Sequence, residues 1–250
     1  MKQWGFYFDQ TRCVNCKACV MACKAWNGEL RGDAKINPDL NWISKEIYEE
    51  PSEYENLPGS SGEQNYEEYG KYHMKENWRR IIVTEHGDVP PNVDVLNFSV
   101  SCNHCNDPVC VRVCPTNYIY KESEYGIVLT DDTKKCISCR LCKKSCPWSS
   151  PQFYDDGLYS YKISSLEKPK MTKCNLCIDR IKEGLKPACV AGCIMRALDA
   201  GPIEELREKY SGYSKISRTF KGNTFQGLNK GTEPNIIIKK KISKVLKKYD

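Results

Sequence analysis

The sixteen cysteines of this 250-residue chain are its main candidates for chemistry, because they all fall into four groups of four. In chain order the groups, called motifs one to four, are Cys13, Cys16, Cys19 and Cys23; Cys102, Cys105, Cys110 and Cys114; Cys136, Cys139, Cys142 and Cys146; and Cys174, Cys177, Cys189 and Cys193. Each motif has three cysteines followed by a fourth after a gap of three residues. The chain therefore contains an internal repeat built on cysteine.

This spacing predicts [4Fe-4S] clusters. Three nearby thiolates hold three corners of a cubic cluster, and the fourth cysteine, carried away on a short helix, ligates the cluster of a partner motif. Four motifs therefore predict two pairs and four clusters. Pro115 and Pro147 follow the last cysteine of motifs two and three, where proline keeps the chain from turning back, whereas Lys24 and Ile194 take that place in motifs one and four.

Zinc and disulfides are the alternatives to clusters. Zinc sites with four cysteines use two separate C-x2-C pairs, whereas motifs one and three place three cysteines within seven residues. Disulfides are less favoured still, because C-x2-C pairs in such a chain are more often metal ligands or redox pairs. His104 lies inside motif two, and we interpret it as a packing residue beside the cluster. A structural zinc-binding module remains the alternative from a different functional class.

The net charge of +6 is unevenly distributed. Residues 46–68 contain eight acidic residues and no lysine or arginine, and residues 239–248 contain six lysines and no acidic residue. Basic residues also surround motif three: Lys134, Lys135, Arg140, Lys143 and Lys144. Because nearby cations favour the reduced, more negative form of a cluster, one hypothesis is a raised potential at motif three. The alternative is a solvated basic face or a docking surface.

Other functional signals are missing from the sequence. It contains no G-x-G-x-x-G, P-loop or H-E-x-x-H motif, so we expect no catalytic residues and no substrate site. The start, MKQWGFYFDQTRC, does not read as a signal peptide, and no apolar window is long enough to span a membrane. We therefore expect no transmembrane segment, and a nucleic-acid partner is not expected either.

Several short segments must position the cysteines. FYFDQ before motif one and GIVLTD before motif three are predicted strands, and ALDAGPIEELREKY is predicted as a turn followed by a helix. The tail IKKKISKVLKKYD has apolar residues at helical spacing, namely Ile238, Ile242, Val245, Leu246 and Tyr249. We predict an amphipathic basic helix that docks on protein, with binding to anionic lipid as the alternative.

The motifs with their flanks resemble a known family. FDQTRCVNCKACVMACK, SCNHCNDPVCVRVCP, KKCISCRLCKKSCPWSSPQF and KCNLCIDRIKEGLKPACVAGC, with RALDAGPIEELREKY and EPNIIIKK, are similar to the iron-sulfur electron-transfer subunits (B chains) of the anaerobic dimethyl sulfoxide reductase and molybdopterin oxidoreductase family. Some members of that family replace a cysteine of the third motif by tryptophan and build a [3Fe-4S] cluster. Cys139 is present here, so four full cubanes are expected. Leu141 stands where close relatives often have an aromatic residue.

The resemblance implies an α+β fold with two ferredoxin-like domains and nested pairing of the motifs. The implied ligand sets are Cys13, Cys16, Cys19 with Cys193; Cys174, Cys177, Cys189 with Cys23; Cys102, Cys105, Cys110 with Cys146; and Cys136, Cys139, Cys142 with Cys114. The expected divisions are a discontinuous first domain (1–30 and 165–205), an acidic insertion (31–80), a second domain (81–164), and a C-terminal extension with a basic tail (206–250).

The resemblance also implies partners. The cluster of motif one would face a catalytic subunit with molybdopterin or tungstopterin, which reduces a terminal acceptor such as dimethyl sulfoxide. The cluster of motif three would face a membrane anchor subunit that oxidises quinol. The chain would thus be peripheral and held at the membrane through its partners. The alternative within this class is the same electron relay serving a formate dehydrogenase, a polysulfide or arsenate reductase, or a soluble molybdenum or tungsten oxidoreductase.

Overall fold

The computed structural model describes residues 2–27, 78–87, 92–153, 170–210 and 232–241. The acidic segment 46–68 and most of the predicted tail helix lie outside these ranges. Trp78, Arg79 and Arg80, at the end of the predicted insertion, are buried.

The described residues form a mixed α and β structure of short elements. The strands are β1 Trp4–Asp9, β2 Arg80–Gly87, β3 Val93–Val100, β4 Ile119–Lys121, β5 Val128–Thr130, β6 Leu198–Pro202 and β7 Ile236–Lys239. The helices are α1 Ala18–Asn27, α2 Val109–Arg112, α3 Leu141–Ser145, α4 Ile178–Lys182, α5 Ala188–Ala191 and α6 Ile203–Lys209. The last cysteine of each motif lies on or within two residues of α1, α2, α3 or α5, as the cysteine spacing predicts.

The first sheet joins distant parts of the chain, in the order β6-β1-β7. Strand β1 pairs antiparallel with β6, where Phe6 faces Ala200, and parallel with β7, where Phe6 faces Ile236. Gly5 allows this close approach, because a Cβ there would lie 2.4 Å from the Asn235 carbonyl oxygen and 2.8 Å from Ile203 Cδ1. The segment before motif one thus packs between a segment after motif four and one near residue 238.

The predicted strands at FYFDQ and GIVLTD are confirmed as β1 and β5, and the helix after motif four is confirmed as α6. Two predictions are wrong. The segment expected as a turn before that helix is strand β6, because its backbone pairs with β1. Ile238 does not begin a helical stripe: it lies in β7 within a run of three isoleucines, whose branched side chains favour a strand, and it is buried.

Two hairpins complete the sheets. Strands β2 and β3 pair antiparallel from Arg80 opposite Val100 to Gly87 opposite Val93. Strands β4 and β5 form a shorter antiparallel pair. Helix α1 packs against α5, and Gly192 permits the contact because a Cβ there would lie 2.6 Å from the Ala22 Cβ.

Cysteine fills much of the interior. Nine of the sixteen thiols are buried, and only Cys16 and Cys139 are exposed. The largest apolar cluster combines aromatic residues such as Phe6, Phe8 and Phe98 with thiols. The hydrophobic content is only 40% even with cysteine counted in it, so thiols supply a substantial part of the core material.

Asp199 on β6 ties the sheet to the helix that follows. Its carboxylate accepts hydrogen bonds from Lys186 Nζ at 2.9 Å, Lys209 Nζ at 2.8 Å and the Tyr210 hydroxyl at 2.9 Å. The Tyr210 ring in turn stacks on Tyr7 of β1, with centroids 3.5 Å apart. Burial would raise the pKa of Asp199, but these hydrogen bonds lower it to about 2, so the group is charged at neutral pH.

We predict that Asp199→Asn lowers the free energy of unfolding by about 1–3 kcal/mol, because the buried carboxylate is replaced by a neutral amide and three charge-assisted hydrogen bonds are weakened or lost. The measurement is anaerobic denaturant unfolding at pH 7. Glu204→Gln is the matched control, since Glu204 pairs with Arg207 on the surface of α6 and its loss is expected to cost less than about 0.5 kcal/mol. Equal effects of the two substitutions would contradict the anchoring role of Asp199.

Candidate iron-sulfur centres

Motifs two and three together line two cavities, and each cavity has four thiols. The first is lined by Cys136, Cys139 and Cys142 of motif three and by Cys114 of motif two, with Ile119, Phe153 and Met171 among the apolar walls. The second is lined by Cys102, Cys105 and Cys110 of motif two and by Cys146 of motif three, with Val128, Pro147 and Trp148 nearby. Each cavity therefore takes three thiols from one motif and one from the other.

Thiols of motifs one and four act on one another's pKa. Burial raises the pKa of Cys13, and the adjacent thiols of Cys19, Cys193 and Cys16 raise it further. Burial likewise raises the pKa of Cys23, and the thiols that add to this effect are Cys174, Cys189 and Cys177. These effects link Cys13, Cys16 and Cys19 with Cys193, and Cys174, Cys177 and Cys189 with Cys23.

The repeat is also visible in the backbone. The residue two positions after the first cysteine has a positive φ in every motif: Asn15 at 58°, His104 at 44°, Ser138 at 57° and Leu176 at 56°. Such left-handed residues turn backbone N–H groups towards one point and create concavities that suit anions. In motif four the Leu176 N–H donates to Cys174 Sγ at 3.4 Å, and the Ala197 N–H donates to Cys193 Sγ at 3.3 Å. The loops thus present donors to sulfur.

These sites fit a multi-iron cluster chemically. Burial followed by neighbouring thiols raises the pKa of Cys142 to about 12, and that of Cys105 is also about 12. Four thiolates therefore become stable together only when cations neutralise them, and iron ions supply that charge. No three His, Cys, Asp or Glu side chains in the described ranges are arranged to hold a single metal ion. The thiols instead surround cavities, and soft sulfur ligands of this kind suit iron-sulfur clusters.

Thiols of successive sets lie close enough to act on one another, as a row of the four sets would require. Burial raises the pKa of Cys189, in the second set, and Arg79 opposes this rise. The thiol of Cys19, in the first set, adds to the rise. Burial also raises the pKa of Cys174, in the second set, and the thiol of Cys102, in the third set, raises it further. Helices α2 and α3, which carry cysteines of the third and fourth sets, pack against each other. Each set therefore neighbours the next one in this order.

His104 is a packing residue in the structure. It is fully buried, and its Nδ1 accepts a hydrogen bond from the Val128 N–H at 3.1 Å. Its carbonyl oxygen accepts from Asn235 Nδ2 at 2.7 Å. Burial, and then the charge of Lys173, lower the pKa of His104 well below its usual value, so the ring is neutral. These contacts fix the start of motif two against β5 and the segment before β7.

The basic residues around motif three are placed mostly at the surface. Lys134, Lys135 and Lys144 are exposed, and the Arg140 guanidinium lies 5.2 Å from the centroid of the Phe153 ring. Charges in contact with water act weakly on a buried group, so the described geometry favours a solvated or docking face over a raised potential. The tuning hypothesis for motif three stays a prediction.

Three buried cations near the thiols were missed by sequence reasoning. Arg79 and Arg80 enter β2 side by side, and Lys173 precedes the first cysteine of motif four. Lys173 Nζ donates to the carbonyl oxygens of Val128 and Cys174. The sequence feature that could have indicated Arg79 and Arg80 is the pair of arginines at the start of the segment RRIIVTEHG, which contains β2. Paired basic residues are usually exposed, so the pattern alone did not indicate burial.

Comparisons with known families give iron-sulfur domains. A 4Fe-4S dicluster domain matches residues 93–203, and a 4Fe-4S binding domain matches residues 4–25. These matches cover motifs one to four and agree with the ferredoxin-like character expected from the cysteine spacing. In the described ranges no helix is long and apolar enough to cross a membrane.

Comparisons with individual proteins extend over most of the sequence. It is 33% identical over 237 residues to the B chain of anaerobic dimethyl sulfoxide reductase from Escherichia coli (strain K12), which covers 95% of this chain and 88% of that protein. It is 30% identical over 211 residues to the B subunit of sulfite dehydrogenase from Allochromatium vinosum, with coverages of 82% and 71%. For the beta subunit of chlorate reductase from Ideonella dechloratans the identity is 29% over 273 residues, with coverages of 94% and 76%.

Proposed function

Since this protein belongs to the family of iron-sulfur B chains of anaerobic dimethyl sulfoxide reductases, we propose that it carries four [4Fe-4S] clusters and relays electrons for a catalytic partner subunit. The observation that carries this proposal is the pair of cavities in motifs two and three, each lined by four thiols. When bound, each cluster supplies a one-electron redox site. The chain's own residues bind it, direct N–H groups at its sulfur atoms and exclude water.

The proposed ligands are all sixteen cysteines in nested sets. The sets are Cys13, Cys16, Cys19 and Cys193; Cys174, Cys177, Cys189 and Cys23; Cys102, Cys105, Cys110 and Cys146; and Cys136, Cys139, Cys142 and Cys114. Support comes from the cavity linings for the last two sets and from the mutual effects of the thiols for the first two.

The proposed domain division follows the same nesting. Residues 1–30 and 165–205 form one ferredoxin-like domain and residues 81–164 the other, with the insertion at 31–80 and the C-terminal extension at 206–250. Pairing of β1 with β6 and packing of α1 on α5 support the discontinuous first domain. Strand β7 of the extension pairs with β1, so part of the extension completes that domain's sheet.

The proposed partners are a molybdopterin or tungstopterin catalytic subunit at the motif-one end and a quinol-oxidising membrane anchor at the motif-three end. Apolar side chains exposed at both ends of the row support docking there. At the motif-one end, Met21 is 62% and Ile194 71% exposed, and at the motif-three end Ile137 is 46% and Leu141 45% exposed. The chain would then be peripheral and held at a membrane through these partners.

The same relay with a different catalytic partner is the second candidate. Similarity to a sulfite dehydrogenase subunit and to a chlorate reductase subunit favours it, because electrons leave sulfite in the first and enter chlorate in the second. The discriminating observation is what co-purifies with the chain. A catalytic subunit active on dimethyl sulfoxide, together with a membrane anchor, supports the first candidate. A catalytic subunit for another substrate, or a complex without an anchor, supports the second.

The test of cluster binding is the content of iron, acid-labile sulfide and zinc in anaerobically purified protein. We predict about 16 iron and about 16 sulfide per chain, as four cubanes require. A redox titration followed by electron paramagnetic resonance (EPR) would then give the potentials. About four zinc with no iron would overturn the proposal and leave a structural zinc-binding module.

A further inference from the structure

Arg79 is a buried cation beside the thiols of motifs one and four. Its side chain is 2% exposed. Its Nη1 donates to Ser99 Oγ at 3.0 Å, its Nη2 donates to Ser101 Oγ at 2.8 Å, and its Cζ lies 4.5 Å from the centroid of the Phe6 ring. These three contacts are with uncharged groups, so none of them neutralises the guanidinium.

The acidic groups that act on Arg79 in the described part of the chain are cysteines, namely Cys189, Cys19, Cys174 and Cys23. A buried charge costs several kcal/mol unless an opposite charge lies near it. The thiolates of a bound cluster provide that opposite charge. The burial of Arg79 is therefore best explained by negative charge at the first two thiol sets.

Ser99 links Arg79 directly to one of these thiols. The Ser99 hydroxyl accepts the hydrogen bond from Arg79, and its oxygen lies 3.6 Å from Cys19 Sγ. The hydroxyl hydrogen is thus free to point at the sulfur while the oxygen faces the guanidinium. The arginine therefore both places positive charge near Cys19 and orients a donor towards it.

Arg80, the next residue, extends to the other cluster pair. It is buried, and its guanidinium donates to the carbonyl oxygens of Trp148 and of Ser149, the latter at 3.1 Å. Both carbonyls follow Cys146, which is the acidic group that acts on Arg80 among the described residues. Successive side chains of an extended segment point to opposite faces, and this alternation sends the two arginines in different directions.

We propose that Arg79 and Arg80 are positioning residues that separately raise the reduction potentials of different clusters. This inference rests on the proposed function. Arg79 acts on the clusters of the first two sets (Cys13, Cys16, Cys19, Cys193 and Cys174, Cys177, Cys189, Cys23), and Arg80 acts on the third set (Cys102, Cys105, Cys110, Cys146). The physical reason is that a reduced cluster carries one more negative charge, which a fixed buried cation favours.

The test compares Arg79→Gln and Arg80→Gln by anaerobic EPR redox titration of the full chain. Signals are assigned to each set with cysteine-to-serine variants. We expect Arg79→Gln to reduce the equilibrium constant for reduction of at least one of the first two clusters tenfold or more, which is about 59 mV for one electron. The third cluster should shift less than half as far. Arg80→Gln should show the reverse pattern.

Arg79→Lys and Arg80→Lys separate charge from packing, because lysine keeps the charge but loses the planar fork. When it is fully loaded with iron, each lysine variant is expected to keep the equilibrium constant for reduction of every cluster within threefold of the wild-type value. These variants also serve if a glutamine variant loses iron. A tenfold change in a fully loaded lysine variant would overturn the role of charge. Equal shifts of every cluster in both glutamine variants, or no shift in either, would overturn the division of roles.

Iron content keeps this test apart from the test of the proposed function. Wild-type protein without iron would overturn the proposed function itself. Wild-type protein with about 16 iron, combined with unchanged potentials in loaded variants, would overturn only the roles of Arg79 and Arg80.

Discussion

Replacing Cys139 by serine is expected to convert or empty one cluster and to leave the other three intact. Cys139 lines the cavity formed by motif three, and it is one of the two exposed cysteines. Serine oxygen is a poorer ligand for iron than thiolate is. Because residue 139 is exposed, water can also reach that corner of the cluster. We expect iron to fall from about 16 to between about 12 and 15 per chain, together with the loss or change of one EPR signal.

Cys16→Ser is the matched control for this experiment. Cys16 holds the same place in motif one that Cys139 holds in motif three, and it is the other exposed cysteine. The two variants should lose similar amounts of iron but change different EPR signals, because the two cysteines belong to different proposed ligand sets. Four unchanged cubanes in Cys139→Ser would show that Cys139 is not a ligand.

Removal of iron is expected to destroy the folded structure and not merely its redox activity. Nine thiols are buried, and several of them pack in the main apolar cluster with Phe6 and Phe98. Without iron, the thiol-lined cavities would stay empty inside a core in which much of the packing surface is thiol. We expect a loss of stability on the order of 10 kcal/mol, the scale at which structural metal sites stabilise small domains.

The measurement is circular dichroism and thermal unfolding before and after treatment with a chelator and a mild oxidant under anaerobic conditions. The treated chain should lose its cooperative transition, and reconstitution with iron and sulfide should restore it. A mock-treated sample controls for handling. An iron-free chain that still unfolds cooperatively near the original Tm would show that the protein core does not depend on the clusters.

The sequence predicts the local geometry of the sites well, because cysteine spacing dictates it. Three cysteines within a few residues require a loop that turns back on itself, and the structure provides left-handed residues at Asn15 and Ser138 in equivalent places. The position of the fourth cysteine at a short helix follows from the same spacing. These features depend on contacts within about ten residues of chain.

Features that depend on distant partners are predicted less well. Strand β6 looks like a turn because its glycine and proline are turn residues, but pairing with β1 determines its conformation. Ile238 fits a helical pattern in the sequence, but in the structure it lies in strand β7, which pairs with β1. Arg79 meets Phe6, Ser99 and Ser101 only in the folded chain, so nothing in its sequence neighbours indicates its role.

The place of β1 in its sheet also governs the order in which the protein matures. This strand is synthesised before the other described strands, yet its neighbours β6 and β7 are the last two of them in chain order. During synthesis β1 therefore has two unpaired edges, which are prone to intermolecular pairing. The hairpins β2–β3 and β4–β5 close much earlier. We expect cofactor insertion at motif one to wait until β6 and β7 have been synthesised, whereas motifs two and three can accept theirs earlier.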